Sequence, residues 1–207
     1  RGRQWLSPKG EGLYISFVLS PAIAPERAAS LTHLAAYAVH GALLRLTGAK
    51  IGIKWPNDLV LDGKKVVGIL TELSAEVGSL NYVVVGIGLN LKQRLFPEAL
   101  RQQATSLLQE GIEPPEEIAL VREIAKSFFE AVAVYEREQN LEHVLPVLRE
   151  ASVTLGHRVR ILRPEQTIET TALDLDEEGA LVVEGPDGGT ERIYFGEVSV
   201  RGLAGYA

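Results

Sequence analysis

Apolar residues fall along this chain in two textures: short β-rich runs, and longer stretches with three- and four-residue spacing. Leu13-Tyr14-Ile15-Ser16-Phe17-Val18-Leu19, bounded by Gly12 and Pro21, predicts a buried strand within Glu11 to Ser20. Pro25-Glu26 then opens a helix, proline where its missing N–H costs nothing and acid at the positive dipole end. Its apolar face is Leu31, Leu34, Ala38, Ala42 and Leu46, and Gly48 stops it. Strands are expected at about 50–56, 64–73 and 82–91, the last two forming a hairpin. Pro114-Pro115-Glu116-Glu117 starts a second long helix, with a face of Ile118, Val121, Ala125, Phe128, Val132 and Tyr135. A third helical stretch, Leu141 to Ala151, is kinked or begun afresh at Pro146.

From Thr154 the texture changes. Arg158 to Leu162, Thr167 to Leu175, Ala180 to Glu184, Glu191 to Phe195 and Glu197 to Val200 are short β-rich runs. Glu178-Gly179 and Asp187-Gly188-Gly189 mark tight turns between them. The pattern predicts an α+β chain of two parts. Residues 1–153 would carry a mixed β-sheet with helices packed on one face, and residues 154–207 a small β-barrel-like satellite.

Composition narrows the chemistry. With 207 residues the chain can build one substantial core plus a satellite. A net charge of -6 argues against a general nucleic-acid-binding face, although one basic pocket for phosphate remains compatible with it. The absence of cysteine removes disulfides, thiolate metal sites and a cysteine nucleophile. His33, His40, His143 and His157 are scattered, make no metal-ligand pair at helical spacing, and read as solvated or helix-face residues. No apolar run reaches the ~18 residues of a membrane span, and a soluble, cytoplasmic protein is expected. The chain has no methionine and begins abruptly at Arg1, so it reads as a piece lacking an upstream segment.

Lys54-Trp55-Pro56-Asn57-Asp58-Leu59 places a cation, an aromatic plate, a rigid turn, an amide and a carboxylate between two apolar runs. A Pro-Asn-Asp bend between strands gathers polar side chains on one lip of a sheet. Lys54 either snorkels to water or points into a cleft that awaits an anion. Trp55 fits core filler, while Asn57 and Asp58 fit turn caps; six such residues in succession exceed what a turn needs. Arg1 and Arg3, separated by Gly2 and followed by Trp5, suit bidentate contact with carboxylate or phosphate and stacking on a ring, or else a frayed terminus. Gly68, Gly86 and Gly88 lie inside strands, where glycine marks a bulge or the close approach of a ligand.

These motifs resemble the biotin protein ligase family over essentially the whole chain. Arg-Gly-Arg-x-Trp-x-Ser-Pro-x-Gly, Gly-Leu-Tyr-x-Ser, Lys-Trp-Pro-Asn-Asp, Gly-Lys-Lys-Val-x-Gly-Ile-Leu-x-Glu and Gly-Ile-Gly-Leu-Asn stand in the family's order, as does Gly196-Glu197-Val198-Ser199-Val200-Arg201. Thr105-Ser106-Leu107 is also similar to the family. The resemblance implies a class II aminoacyl-tRNA synthetase-like catalytic fold with an SH3-like C-terminal barrel. It implies an enzyme that activates biotin with ATP and Mg²⁺ to biotinyl-5′-AMP, then transfers biotin to a lysine of a carboxylase carrier domain. Lys54, Asp58 and Arg3 would be catalytic, with Lys54 on the biotin carboxylate and Asp58 orienting or deprotonating the incoming lysine. Arg1, Gly2, Gly68, Leu70, Gly86 and Gly88 would complete the biotin site. Arg3, Trp5, Asn57, Lys65, Asn90 and Arg201 would serve ATP and the adenylate, and no protein-held metal is implied.

The same resemblance implies a homodimer and an acceptor such as a biotin carboxyl carrier protein. It implies DNA binding only if a helix-turn-helix precedes this chain. The family's biotin loop starts with further residues ahead of Arg1, so these 207 residues alone are expected to bind biotin weakly and turn over poorly. A lipoate-type ligase and a non-catalytic biotin sensor or corepressor stand as alternatives.

Overall fold

The computed structural model describes residues 9–76, 78–163, 167–194 and, for the backbone alone, 199–202. Ten strands and three α-helices are described. They are β1 (Gly12–Leu19), α1 (Leu31–Thr47), β2 (Gly52–Lys54), β3 (Asp58–Leu61), β4 (Lys64–Glu76), β5 (Ser79–Asn90), α2 (Glu117–Glu138), α3 (Leu145–Glu150), β6 (Arg158–Leu162), β7 (Thr167–Leu175), β8 (Leu181–Glu184), β9 (Thr190–Ile193) and β10 (Ser199–Gly202).

The first sheet runs β1-β5-β4-β3-β2, and every ladder in it is antiparallel. The parallel component expected of a mixed sheet reduces to two single bridges, Ile53 to Ser152 and Lys65 to Ala104. One face is apolar because strand side chains alternate: Val83, Val85, Ile87 and Leu89 of β5 and Val67 and Ile69 of β4 are all buried. Onto that face pack Leu31, Leu34 and Leu43 of α1 and Leu120, Ile124 and Phe128 of α2. Truncating one of these to alanine costs about 2–5 kcal/mol.

A 3₁₀ turn, Pro25–Ser30, precedes α1, whose C-cap Gly48 stands at φ +70°. Leu46 is not on the buried face; it is 38% exposed. In α2 the buried stripe is Leu120, Ile124, Phe128, Ala131, Val132 and Tyr135, while Ile118 at 60% exposure lies off it. Pro146 sits in the first turn of α3, so the third helical stretch begins afresh there. No described helix is long and apolar enough to cross a membrane.

The second sheet runs β10-β6-β7-β8-β9, again antiparallel. Its last strand returns to pair with its first. The expected runs Glu191 to Phe195 and Glu197 to Val200 are shorter in part as strands, and residues 195–198 lie outside the described ones.

Candidate active site

β2 and β3 form a hairpin that sequence reading divided differently. Trp55-Pro56-Asn57 is the turn, with a cis Trp55–Pro56 peptide, and Asp58 is the first residue of a strand rather than a turn cap. Lys54 is therefore the cross-strand partner of Asp58. The register continues from Asp58 to Gly68, from Gly68 to Gly88 and from Gly88 to Tyr14. One row thus crosses all five strands: Lys54, Asp58, Gly68, Gly88, Tyr14. Ile53 and Leu59, next to the first two, are in the core, so the row faces away from the helices.

A second row on the same face holds Leu70, Gly86 and Ser16. Leu70 is 55% exposed. A Cβ at Gly86 would lie 3.6 Å from the Leu70 carbonyl oxygen and 3.9 Å from Ser16 Oγ, ordinary contacts, at a backbone conformation any residue adopts. Packing does not demand this glycine. A bare floor beside an exposed leucine suits a flat, mostly apolar ligand.

Charge collects at one end of that floor. The Lys54 side chain is buried, and a buried ammonium needs an anion or several acceptors nearby. Asp58 lies opposite it and pairs with Lys65 as well. Two cations therefore flank one carboxylate, which leaves the cluster suited to an added anion.

Asn57 donates from Nδ2 to the Ile69 carbonyl at 2.8 Å, and its own carbonyl accepts from Ile69 N at 2.9 Å. Its amide is committed to locking the turn onto β4. Asn90 stands at the opposite rim, paired in register with Gly12. Its Nδ2 donates to the Thr105 carbonyl at 2.9 Å, and its Oδ1 accepts from Gln93 Nε2 at 3.2 Å. Gln93, which sequence reading passed over, is 2% exposed; Ser106 Oγ donates to its carbonyl at 2.6 Å. Gln93 Nε2 also reaches Tyr14 Oη at 3.5 Å, and its Oε1 has no hydrogen-bond partner among the described residues. Burial raises the Tyr14 pKa; the Gln93 bond acts against this and nearby Glu11 adds to it.

Arg1, Gly2, Arg3 and Trp5 lie outside the described residues. Arg201 is in β10 opposite Arg160, on the second sheet. His33 is not solvated: it is 3% exposed, against the turn between β7 and β8. Burial drives its pKa down to about 4, with a Gly179 backbone hydrogen bond and the Asp176 charge pulling the other way. Its signal in the sequence was only its place in α1 among Leu31, Leu34 and Ala38. Among the described residues no group of three or more His, Cys, Asp or Glu could hold a metal ion.

Residues 1–90 match the Biotin/lipoate A/B protein ligase family, and residues 154–201 match the Biotin protein ligase C terminal domain. The Bifunctional ligase/repressor BirA of Bacillus subtilis (strain 168) is 32% identical over 96% of this chain and 61% of its own length. The Biotin--[acetyl-CoA-carboxylase] ligase of Paracoccus denitrificans is 32% identical over 91% of this chain and 80% of its own. The biotin protein ligase from Aquifex aeolicus, solved in complex with biotin and ATP, is 30% identical with a TM-score of 0.84, covering 97% of this chain and 82% of that one. The chain spans 61–62% of the length of the BirA relatives it matches.

Proposed function

Because this chain belongs to the biotin protein ligase family, we propose that it activates biotin with ATP and transfers the biotinyl group to a protein lysine. In the first step a biotin carboxylate oxygen bonds to the α-phosphorus of ATP, the bond to the β-phosphate breaks, and pyrophosphate leaves. In the second the neutral ε-amine of the acceptor lysine bonds to the acyl carbon, the bond to AMP breaks, and the amine gives up a proton.

The observation that carries this reading is the row from Lys54 to Tyr14 over a glycine floor. The glycines of that floor, with Leu70 beside them, accommodate the apolar body of biotin. Its carboxylate then meets Lys54, whose ammonium offsets the repulsion between that carboxylate and the α-phosphate. Lys65 extends the positive charge toward the phosphates, and Asp58, between the two cations, is placed to take the proton of the acceptor amine. Asn90, with Gln93 behind it, forms the nucleotide rim. Arg1, Gly2, Arg3, Trp5 and Arg201 complete the biotin and nucleotide contacts in this reading. Mg²⁺ arrives with ATP, held by its phosphates, as part of the substrate.

The acceptor is a biotin carboxyl carrier domain of a carboxylase, in keeping with the name of the Paracoccus relative. The compartment is the cytoplasm. A homodimer would use β1, which lies at the sheet edge and, among the described residues, pairs with β5 alone. The first family match covers lipoate ligases as well; the match of residues 154–201 to the biotin-type C-terminal domain favours biotin. Radiolabelled pyrophosphate exchange into ATP decides this on the full-length protein. Biotin-dependent exchange supports the proposal, lipoate-dependent exchange replaces it with the lipoate reading, and exchange with neither replaces it with a biotin sensor.

A further inference from the structure

The turn between β7 and β8 is docked on the first sheet's unit by three successive carbonyls. Glu177 O accepts from Leu141 N at 2.8 Å, Glu178 O from Ser30 Oγ at 3.0 Å, and Gly179 O from Trp55 Nε1 at 2.9 Å. The turn is braced from within, because Asp176 Oδ1 accepts from Glu178 N at 3.0 Å and Ala180 N at 2.8 Å. Gly179 stands at φ +87°, and a Cβ there would lie 2.4 Å from His33 Cδ2 and 3.0 Å from Leu141 Cδ1. Only glycine seats in this position without displacing its neighbours.

The other grips on Lys54's neighbours come from the segment leading into the second sheet. Ile53 N donates to the Ala151 carbonyl at 2.7 Å, and Val153 N donates to the Ile53 carbonyl at 3.0 Å. Trp55 N donates to Thr154 Oγ1 at 3.0 Å. The residue before Lys54 and the residue after it are therefore both tied to 151–154, and Trp55 is tied again at Gly179. β2 is three residues long and lies at the end of the sheet order, where a strand frays most easily.

We infer that Trp55, held between Thr154 and Gly179, is a positioning residue for Lys54, so that the C-terminal part of the chain fixes where the catalytic ammonium stands during adenylation. This rests on the role of Lys54 proposed above. A displacement of about 1 Å at a reacting group lowers rates up to roughly 100-fold, so loosening either grip acts on turnover rather than on ligand binding.

The test compares four variants of the full-length protein by biotin-dependent pyrophosphate exchange and by urea unfolding. Trp55→Phe removes the indole N–H and keeps the ring; Thr154→Val removes the acceptor and keeps the volume. Each is expected to lower kcat by about tenfold, with KM for biotin and ATP within about twofold. Thr154→Ser restores the acceptor and is expected to restore kcat. Ser30→Ala takes one hydrogen bond from the same turn without touching the Lys54 segment, and is expected to keep kcat. If Trp55→Phe does not fold, the Thr154 pair decides alone. Wild-type kcat in Thr154→Val, or an equal loss in Ser30→Ala, overturns the inference and leaves these bonds as stability elements only. Lys54→Ala in the same assay separates the two levels: full activity there defeats the proposed reaction itself, whereas inactivity there beside a fully active Thr154→Val defeats only the positioning role.

Discussion

Lys54 and Asp58 face each other across a hairpin whose turn is only Trp55-Pro56-Asn57. That places a buried ammonium and a carboxylate on one row, at the end of a glycine floor. In the proposed reaction the charge of Lys54 would offset two converging anions. Lys54→Ala is expected to cost about 2–4 kcal/mol of transition-state stabilisation, or roughly 30- to 1000-fold in kcat/KM for adenylation. Steady-state pyrophosphate exchange measures it, and an unchanged urea midpoint shows that the fold survives.

Gly86→Ala separates folding from binding. The added methyl has room and no strained φ, so stability is expected to rise by about 0.4–1 kcal/mol. The same methyl stands on the face proposed for biotin and should weaken its binding about tenfold or more. Calorimetric titration with biotin, beside a thermal melt, reads both effects; tighter or equal binding would remove Gly86 from the biotin site.

His33 makes stability depend on pH. Its folded pKa of about 4 lies below the ordinary 6.5, so the unfolded chain binds the extra proton first as pH falls. The stabilisation is complete above about 6.5 and is lost progressively toward 4. Unfolding free energy is expected to drop by about 2 kcal/mol between pH 7.5 and pH 5 on this account. Denaturant titrations at both pH values check it, with His33→Gln showing a shallower slope.

Asn57→Ala should act on stability first. Loss of its bond to the Ile69 carbonyl, which then lacks that donor, costs about 1–3 kcal/mol. A rise in the KM for ATP with an unchanged unfolding midpoint would instead make Asn57 a nucleotide ligand.

Much of this was legible in the chain because local rules govern it. Gly48 marked the end of α1 and Pro146 the start of α3, whereas Pro25 opened the 3₁₀ turn ahead of α1 rather than the helix itself, and the β-rich run at 82–91 marked β5. The glycines of the floor, Gly68 in β4 and Gly86 and Gly88 in β5, stood out because strand interiors seldom hold glycine. β3 was missed, since Asp58-Leu59-Val60-Leu61 is a four-residue run directly after a turn and reads as that turn's far side. The face of α2 was read from an exposed starting residue, Ile118, which shifted the stripe away from Leu120 and Ile124. Gln93, His33 and the partners of Trp55 were hidden for another reason: each depends on contacts between segments far apart in sequence, 124 residues apart for Trp55 and Gly179. Periodicity carries no information about such pairs. Trp55 does fill the core, as its type suggested, yet its indole N–H is bonded outside its own sheet.

The docking of the β7–β8 turn bears on how this molecule can be taken apart. Severing the chain ahead of Thr154 would strip the Trp55 amide and indole of their acceptors and lay His33 open to water. The part that keeps the first sheet would then have the Trp55 donors without their acceptors, directly beside Lys54. Chimeras that exchange C-terminal modules among relatives should therefore succeed only when the incoming module brings a glycine where Gly179 now sits.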